Sequence, residues 1–192
     1  MTPVAAADLP ASILANPMVD DWVRLLPDGI VEVRSGKVEL GQGVLTALAQ
    51  IVAEELDVDL ARVRMTAAAT GASPNEGYTA GSLSIQHSGA ALRMAAAEAR
   101  AVHLDAAARR WEVSVDALTV TDGVVAAPDG RSASYWELMS EGLLHRRVSG
   151  AAPTKAAADR RIVGVSVPRL DLPDKLAGRP RFAHDLALPG MV

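Results

Sequence analysis

The chain has 192 residues, of which 49% are hydrophobic, 22% are charged and 3% are aromatic, and its formal net charge is −4. This composition predicts a folded chain with one domain, or one domain and a small extension, rather than a disordered one. The few aromatic side chains and the lack of a basic stripe argue against nucleic-acid binding, and the lack of cysteine excludes disulfides, thiolate nucleophiles and cysteine-ligated metal clusters within this chain.

The N-terminal segment is mildly apolar and carries no lysine or arginine before Arg24. Because a secretory signal begins with basic residues, we predict that residues 1–20 form a disordered or loosely docked arm and not a signal. No apolar run reaches the roughly 20 residues that a membrane helix needs, so we predict no transmembrane segment. The expected location is therefore the cytoplasm, with the periplasm as the alternative if an exported partner carries the chain.

Strand-like and helix-like patterns alternate in the first half of the chain. Alternating apolar and polar residues flank Pro27-Asp28-Gly29, which is a turn signature, and predict a pair of strands. Apolar residues then recur at helical spacing from Val44 to Leu56 and predict a helix with one apolar face. In chain order, the predicted elements are a strand pair over 22–38, a short strand over 37–40, a helix that ends near residue 57 and a short strand over 63–66.

A second, longer helix is predicted from about Leu83 to Trp111, after a loop over 70–81 that is rich in Gly, Ser, Pro and Asn. Its alanine run and Gly89 would let another backbone approach closely. Asp122-Gly123 lies between two apolar runs and predicts a hairpin over 118–126. Ser134, with a glutamate three residues later, fits the capping box of a short helix over 134–143.

The chain changes character after Gly150, because prolines recur from there to residue 189. Only Arg161–Val167 has the pattern of a strand, so we predict that residues 151–192 form an extended linker that leads into a missing or separate domain. The expected fold class is α/β (α+β), with mixed strands and two main helices in residues 21–150 and this connector after them.

Two helix starts that are rich in small residues are candidate ligand sites. At the first, glycines let a ligand approach the backbone, unpaired N–H groups favour an anion, and a glutamine offers a donor and an acceptor. At the second, hydroxyl groups can cap the helix or cradle an anionic group. An ordinary tight turn and simple capping are the respective alternatives, but both starts together suggest a common dinucleotide-like cofactor. The candidate residues are Gly41, Gln42, Gly43, Thr79, Gly81, Ser82 and Ser84.

Neither a metal site nor a nucleophilic triad is predicted. The four histidines are scattered, and His87 and His103 lie more than four helical turns apart. The chain has no Gly-x-Ser-x-Gly elbow and no Walker loop. The adjacent carboxylates Glu54 and Glu55 point to different faces, so we expect them to lie on the solvated surface rather than to form a paired-carboxylate site.

The stretch from Val38 to Arg100 resembles the cofactor-binding region of molybdenum hydroxylases, the xanthine dehydrogenase and aldehyde oxidase family. The rest of the chain looks like the large subunit of isoquinoline 1-oxidoreductase and of its nicotinate dehydrogenase-like and aldehyde dehydrogenase relatives. The resemblance covers roughly residues 21–192. The segments that carry it are Glu39–Thr46, Gln50–Ile51, Ala53–Leu56, Thr79–Ser84, Gly89–Ala91, Trp111–Val113, Asp122–Val125, Gly130–Tyr135 and Pro168–Gly178.

The resemblance implies a molybdopterin cofactor with molybdenum, usually the cytosine dinucleotide form in bacteria, shared with a partner chain. It implies that Gln42 and its flanking glycines contact the pterin or its phosphates, and that Gly81, Ser82 and Ser84 lie near the molybdenum end. The family reaction adds a water-derived oxygen to a carbon of an aldehyde or an N-heterocycle. Electrons leave through [2Fe-2S] clusters on another subunit, which agrees with the lack of cysteine in this chain.

The chain also departs from the family. Such large subunits are several times longer, and the family's catalytic glutamate lies far towards their C-terminus and matches no glutamate here. We therefore assign no catalytic residue and no metal ligand, and expect an enzyme piece that acts with the remaining large-subunit portion and an iron–sulfur subunit on a small-molecule substrate. The alternatives are a non-catalytic binding module or relic subunit without cofactor, and a generic nucleotide-binding domain, although no nucleotide fingerprint fits.

Overall fold

Mixed strands and two main helices form the fold in a computed structural model that describes residues 9–179, 185 and 187–191. The predicted α/β class is confirmed. The helices are α1 (Ala11–Ala15), α2 (Val19–Trp22), α3 (Val44–Leu56), α4 (Ala90–Trp111), α5 (Tyr135–Leu138) and α6 (Leu172–Leu176). The strands are β1 (Val23–Leu25), β2 (Val31–Arg34), β3 (Val63–Thr66), β4 (Thr119–Thr121), β5 (Val124–Ala126) and β6 (Ser132–Ser134). Single 3-10 turns cover Leu60–Arg62, Val115–Ala117 and Ala157–Asp159, and one π-helical turn, Ile85–Gly89, leads directly into α4.

The first sheet has the order β1-β2-β3. Strands β1 and β2 are antiparallel, as the predicted strand pair requires, whereas β2 and β3 are parallel. Parallel neighbours need a crossover connection, and α3 provides it. Val31 and Val33 are fully buried while Glu32 and Arg34 between them form an ion pair at 2.7 Å, so alternation along β2 separates core from surface.

Helices α3 and α4 pack against each other through small residues. A Cβ added at Gly89 would lie 3.1 Å from Cδ1 of Ile51, closer than nearly all real contacts of that kind. Ala91, Ala95 and Ala99 on α4 are buried as well. The prediction that this run allows close approach of another backbone is therefore confirmed, and the packing places the start of α4 beside α3.

The second sheet is an antiparallel meander of β4, β5 and β6. Its first turn is the predicted Asp122-Gly123 hairpin, in which both residues have positive φ, as a type I′ turn requires. The predicted capping box between Ser134 and Glu137 is also present. The helix that it begins is shorter than predicted, because the backbone is already extended at Met139.

The part of the N-terminal arm that the structure describes is docked rather than loose. Ile13 of α1 and Val19 of α2 are buried, and the backbone N–H of Val19 donates to the carbonyl oxygen of Arg146 at 2.8 Å. Residues 1–8 of the predicted arm lie outside the described residues. Among the helices that are described, none combines the length and the apolar character needed to cross a membrane.

Two strand predictions are wrong, because side chains take the backbone N–H groups in both segments. Over Lys37–Leu40, the N–H of Lys37 donates to Oγ of Ser35 at 3.0 Å and the N–H of Val38 donates to Oγ1 of Thr79 at 2.9 Å. Over Arg161–Val167, the first three N–H groups all donate to Oε2 of Glu54, at 2.9, 2.6 and 2.9 Å. Neither segment has a strand beside it in the described part of the chain.

The prediction that Glu54 and Glu55 are solvated is wrong as well, since their exposed fractions are 1% and 0%. Glu55 pairs with Arg93 and accepts the backbone N–H of Lys155 at 2.9 Å, and Lys155 in turn pairs with Asp57. Burial alone would raise the pKa of Glu54, but the three backbone donors and Lys155 outweigh it, so that this pKa is lowered. The carboxylates thereby fasten the first part of the connector to the end of α3.

His103 on α4 makes the stability of the chain depend on pH. It is fully buried, its Nδ1 lies 2.7 Å from the carbonyl oxygen of Ala99, and its Nε2 has no hydrogen-bond partner among the described residues. Burial lowers its pKa, so the unfolded chain takes up this proton first as the pH falls. We expect the free energy of unfolding to decrease as the pH falls below about 6.5, the ordinary value for histidine.

Urea unfolding at pH 7.5 and at pH 5.5 measures this effect. In a His103→Leu variant, the difference between the two pH values should shrink, because the neutral side chain cannot take up the proton. An equal difference in the variant and the parent would assign the pH dependence to the carboxylates instead.

Candidate functional site

The first candidate loop is closed by a carboxylate that sequence reasoning did not single out. Oε1 of Glu39 accepts the backbone N–H groups of Gly41 and Gly43 at 2.9 and 2.8 Å, and Oε2 accepts that of Leu45 at 3.3 Å. The N–H groups at the start of α3 are therefore not open to an external anion. A carboxylate just ahead of a helix is a favourable partner for the helix dipole, and this signal was available in the sequence.

Gln42 is exposed and its amide is held within the same loop. Its Oε1 accepts the N–H of Leu40 at 2.5 Å, and its Nε2 donates to the carbonyl oxygen of Val38 at 3.0 Å. An amide has two lone pairs and two N–H donors, so one acceptor site and one donor site remain for a ligand. The loop thus orients Gln42 and leaves half of its hydrogen-bonding capacity available.

The second candidate segment lies directly beside the first. Oγ1 of Thr79 accepts the N–H of Val38, the residue just before the Glu39–Gly43 loop. Lys37 is buried, and its Nζ donates to the carbonyl oxygens of Glu76 and Tyr78 at 2.7 and 2.9 Å. The structure therefore brings the start of each motif together through neighbouring residues, as a shared ligand would require.

The helix that follows this segment starts without a cap. Gly81 and Ser82 both have positive φ, which is uncommon for serine, and Ser84 occupies the N-cap position. No side chain in the described part of the chain hydrogen-bonds to this helix start, so the alternative that these hydroxyls simply cap it is wrong. The π-helical turn then places a fully buried Ser88, whose Oγ lies 2.7 Å from Oγ of Ser35. An uncapped N-terminus is where an anionic group is stabilised.

Exposed apolar side chains border the two loops. The exposed fractions of Tyr78, Leu40 and Ile85 are 93%, 69% and 47%. A cavity of about 400 Å³ opens next to Val38 and is lined mainly by polar and small residues between 68 and 77. Such a surface, with polar groups converging inside an apolar rim, is typical of a place where a ligand or another part of a protein binds.

The predicted lack of metal ligands concerns the described residues only, and among them no group of histidine, aspartate and glutamate side chains could hold a metal ion. His87 is exposed at the uncapped helix start, and His145 forms an ion pair with Asp20 at 3.0 Å. His184 lies outside the described residues. The geometry thus offers contacts for an organic, anionic cofactor rather than ligands for a bare metal.

Comparison with known proteins agrees with this geometry. The family model described as the molybdopterin cofactor-binding domain matches residues 10–161. The B chain of nicotinate dehydrogenase from Pseudomonas putida is 41% identical over 172 residues, which are 89% of this chain and 14% of that protein. The beta chain of isoquinoline 1-oxidoreductase from Brevundimonas diminuta is 35% identical over 236 aligned positions, covering 99% of this chain and 30% of that one.

A solved structure gives the same answer. The Cu,Mo-CO dehydrogenase in its carbon monoxide reduced state matches with a TM-score of 0.53 and 30% identity, over 60% of this chain and 15% of that chain. The chain therefore spans less than a third of the length of each of these relatives. The resemblance seen in the sequence is confirmed, and the chain belongs to the molybdopterin cofactor-binding domain family of the molybdenum hydroxylases.

Proposed function

We propose that this chain forms part of the binding site for a molybdopterin cofactor, in its cytosine dinucleotide form, within a hydroxylase that oxidises an aldehyde or an N-heterocycle. The observation that carries the proposal is the hydrogen bond from the N–H of Val38 to Oγ1 of Thr79. It holds the two motifs side by side, and each then presents unused polar groups. A single elongated cofactor can contact both.

The two motifs would serve different parts of the cofactor. Because the Glu39 carboxylate already occupies the start of α3, an anionic group would be repelled there. We assign the remaining donor and acceptor of Gln42 to the polar edge of the pterin. We assign the uncapped helix start, with Gly81, Ser82 and Ser84, to an anionic oxygen of the cofactor, and place Thr79 between the two.

When bound, the cofactor would supply the oxidation of the substrate carbon with oxygen from water, and the electrons would pass to [2Fe-2S] clusters on an iron–sulfur subunit. The residues of this chain would bind and orient the cofactor. No described carboxylate or histidine faces the two loops unpaired, apart from the exposed His87. We therefore propose that the general base belongs to the remaining portion of a large subunit.

A second candidate function is a binding module or relic subunit without cofactor. The observation that favours it is the self-contained first loop, in which Glu39 takes the N–H groups of α3 and Gln42 bonds to its own backbone neighbours. A loop that needs no ligand to satisfy its polar groups is also stable without one.

Purification of the chain from its host, with everything that co-purifies, distinguishes the two functions. We expect one molybdenum per chain, iron on a smaller partner, and one equivalent of CMP after acid hydrolysis of the cofactor. A chain that co-purifies without molybdenum would support the cofactor-free module. Fractionation of the same culture decides between the cytoplasm, which we propose, and the periplasm.

A further inference from the structure

A short segment of the connector, residues 168–176, lies against the first candidate loop, and we call it the strap. Nη1 of Arg169 donates to the carbonyl oxygen of Gly41 at 2.8 Å, and Nη2 lies 3.4 Å from Oε1 of Glu39. Its guanidinium also lies over Gly43, where an added Cβ would be 3.6 Å from Nε. One side chain therefore contacts both the backbone of the loop and the carboxylate that closes it.

Arg169 is itself held rigidly. Its Nε and Nη2 donate to Oδ1 and Oδ2 of Asp171 at 3.0 and 2.8 Å, and Asp171 is buried and pairs with Lys175 at 2.5 Å. These partners keep the pKa of Asp171 far below its ordinary range. The strap is anchored to α3 as well, since the N–H of Leu170 donates to Oγ1 of Thr46 at 3.0 Å. A guanidinium fixed by a bidentate carboxylate can hold a third group at little cost in side-chain entropy.

We propose that Arg169 is a positioning residue for the Gly41–Gly43 loop. Without it, the Glu39 carboxylate would lose the guanidinium that pairs with it, and water would compete for that carboxylate with the N–H groups at the start of α3. The order of the loop does not depend on a cofactor. The consequence for cofactor binding, by contrast, rests on the function proposed above.

Hydrogen exchange on the full chain, produced in a host that makes no molybdopterin, tests the first part. In an Arg169→Gln variant, we expect the N–H groups of Gly41, Gly43 and Leu45 to exchange about tenfold faster or more. Arg169→Lys should restore part of the protection, because the charge near Glu39 is kept while the bidentate geometry is lost.

The matched control is Arg179→Gln. Arg179 also pairs with a carboxylate, that of Asp174, but its side chain is 71% exposed and it does not hydrogen-bond to the loop. Its variant should leave the exchange of the loop unchanged. Amides in the middle of α4 report global stability in every variant. Faster exchange in α4 by the same factor as in the loop, or no change in the loop at all, would overturn the positioning role.

The complex with its partners and cofactor tests the consequence. We expect molybdenum to be lost faster from the Arg169→Gln complex than from the Arg179→Gln complex during dialysis. If the loop exchanges faster in the first experiment but molybdenum is retained equally in the second, the positioning role stands and the proposed role of this loop in cofactor binding fails.

Discussion

A Gly43→Val variant is expected to lose cofactor retention while keeping most of its fold. Gly43 is the N-cap of α3 and has a φ of 77°, a region that a β-branched side chain adopts only with strain of about 1–3 kcal/mol. Relief of that strain turns the N–H groups at the start of α3 away from Glu39, and Gln42 moves with them. The measurement is the ratio of molybdenum to chain in the native complex after gel filtration.

Gly142→Val is the matched control for this experiment. Gly142 has a nearly identical φ of 75°, no atom lies within 4 Å of an added Cβ, and the residue belongs to a turn away from the candidate loops. Both variants should lose a similar amount of unfolding free energy, but only Gly43→Val should lose molybdenum. Full molybdenum content in the Gly43→Val complex would remove this loop from the cofactor site.

Replacement of Glu54 by alanine is expected to give the largest loss of stability. Its Oε2 accepts the N–H groups of Arg161, Ile162 and Val163, and Nζ of Lys155 lies 3.5 Å from Oε1. Truncation leaves three donors and a largely buried ammonium without this acceptor. The free energy of unfolding should therefore fall by about 3–5 kcal/mol, the usual cost of breaking a buried charged network.

Urea unfolding measures this loss, with Glu141→Ala as the control because Glu141 is exposed. The control should change stability by no more than about 0.5 kcal/mol. Since the pKa of Glu54 is lowered in the folded chain, its contribution is complete above the ordinary pKa of 4.5 and is lost as the pH falls through the folded value. The parent and Glu54→Ala should therefore approach each other in stability at acid pH, and a constant gap would argue against the charged form of Glu54 as the acceptor.

Local pattern was sufficient for the regular elements. The helical spacing of apolar residues located α3 to the residue, Asp122-Gly123 located the hairpin, and Ser134 located the capping box. These signals work because periodicity, turn chemistry and capping are set by residues close together in the chain. The family, too, was recognisable from short motifs, since those motifs lie at the two helix starts that form the candidate site.

Long-range polar contacts were beyond the reach of such signals. Nothing near Arg161–Val167 in sequence shows that Glu54, more than 100 residues earlier, takes its backbone N–H groups and prevents a strand. Likewise, Lys37–Leu40 has the pattern of a strand, but Thr79 takes the N–H of Val38. A buried carboxylate is stable only with donors around it, and these donors come from parts of the chain that meet only in the fold.

The sequence by itself therefore determined the fold class, the family and the two motifs of the candidate site, because each depends on neighbouring residues. The tertiary structure alone decided how those motifs are used. It placed Glu39 on the N–H groups of α3, left the helix start after Ser82 uncapped, and brought Arg169 across the chain to the first loop. The physical reason is that a hydrogen bond or an ion pair depends on distance in space, which the order of residues along a chain does not specify.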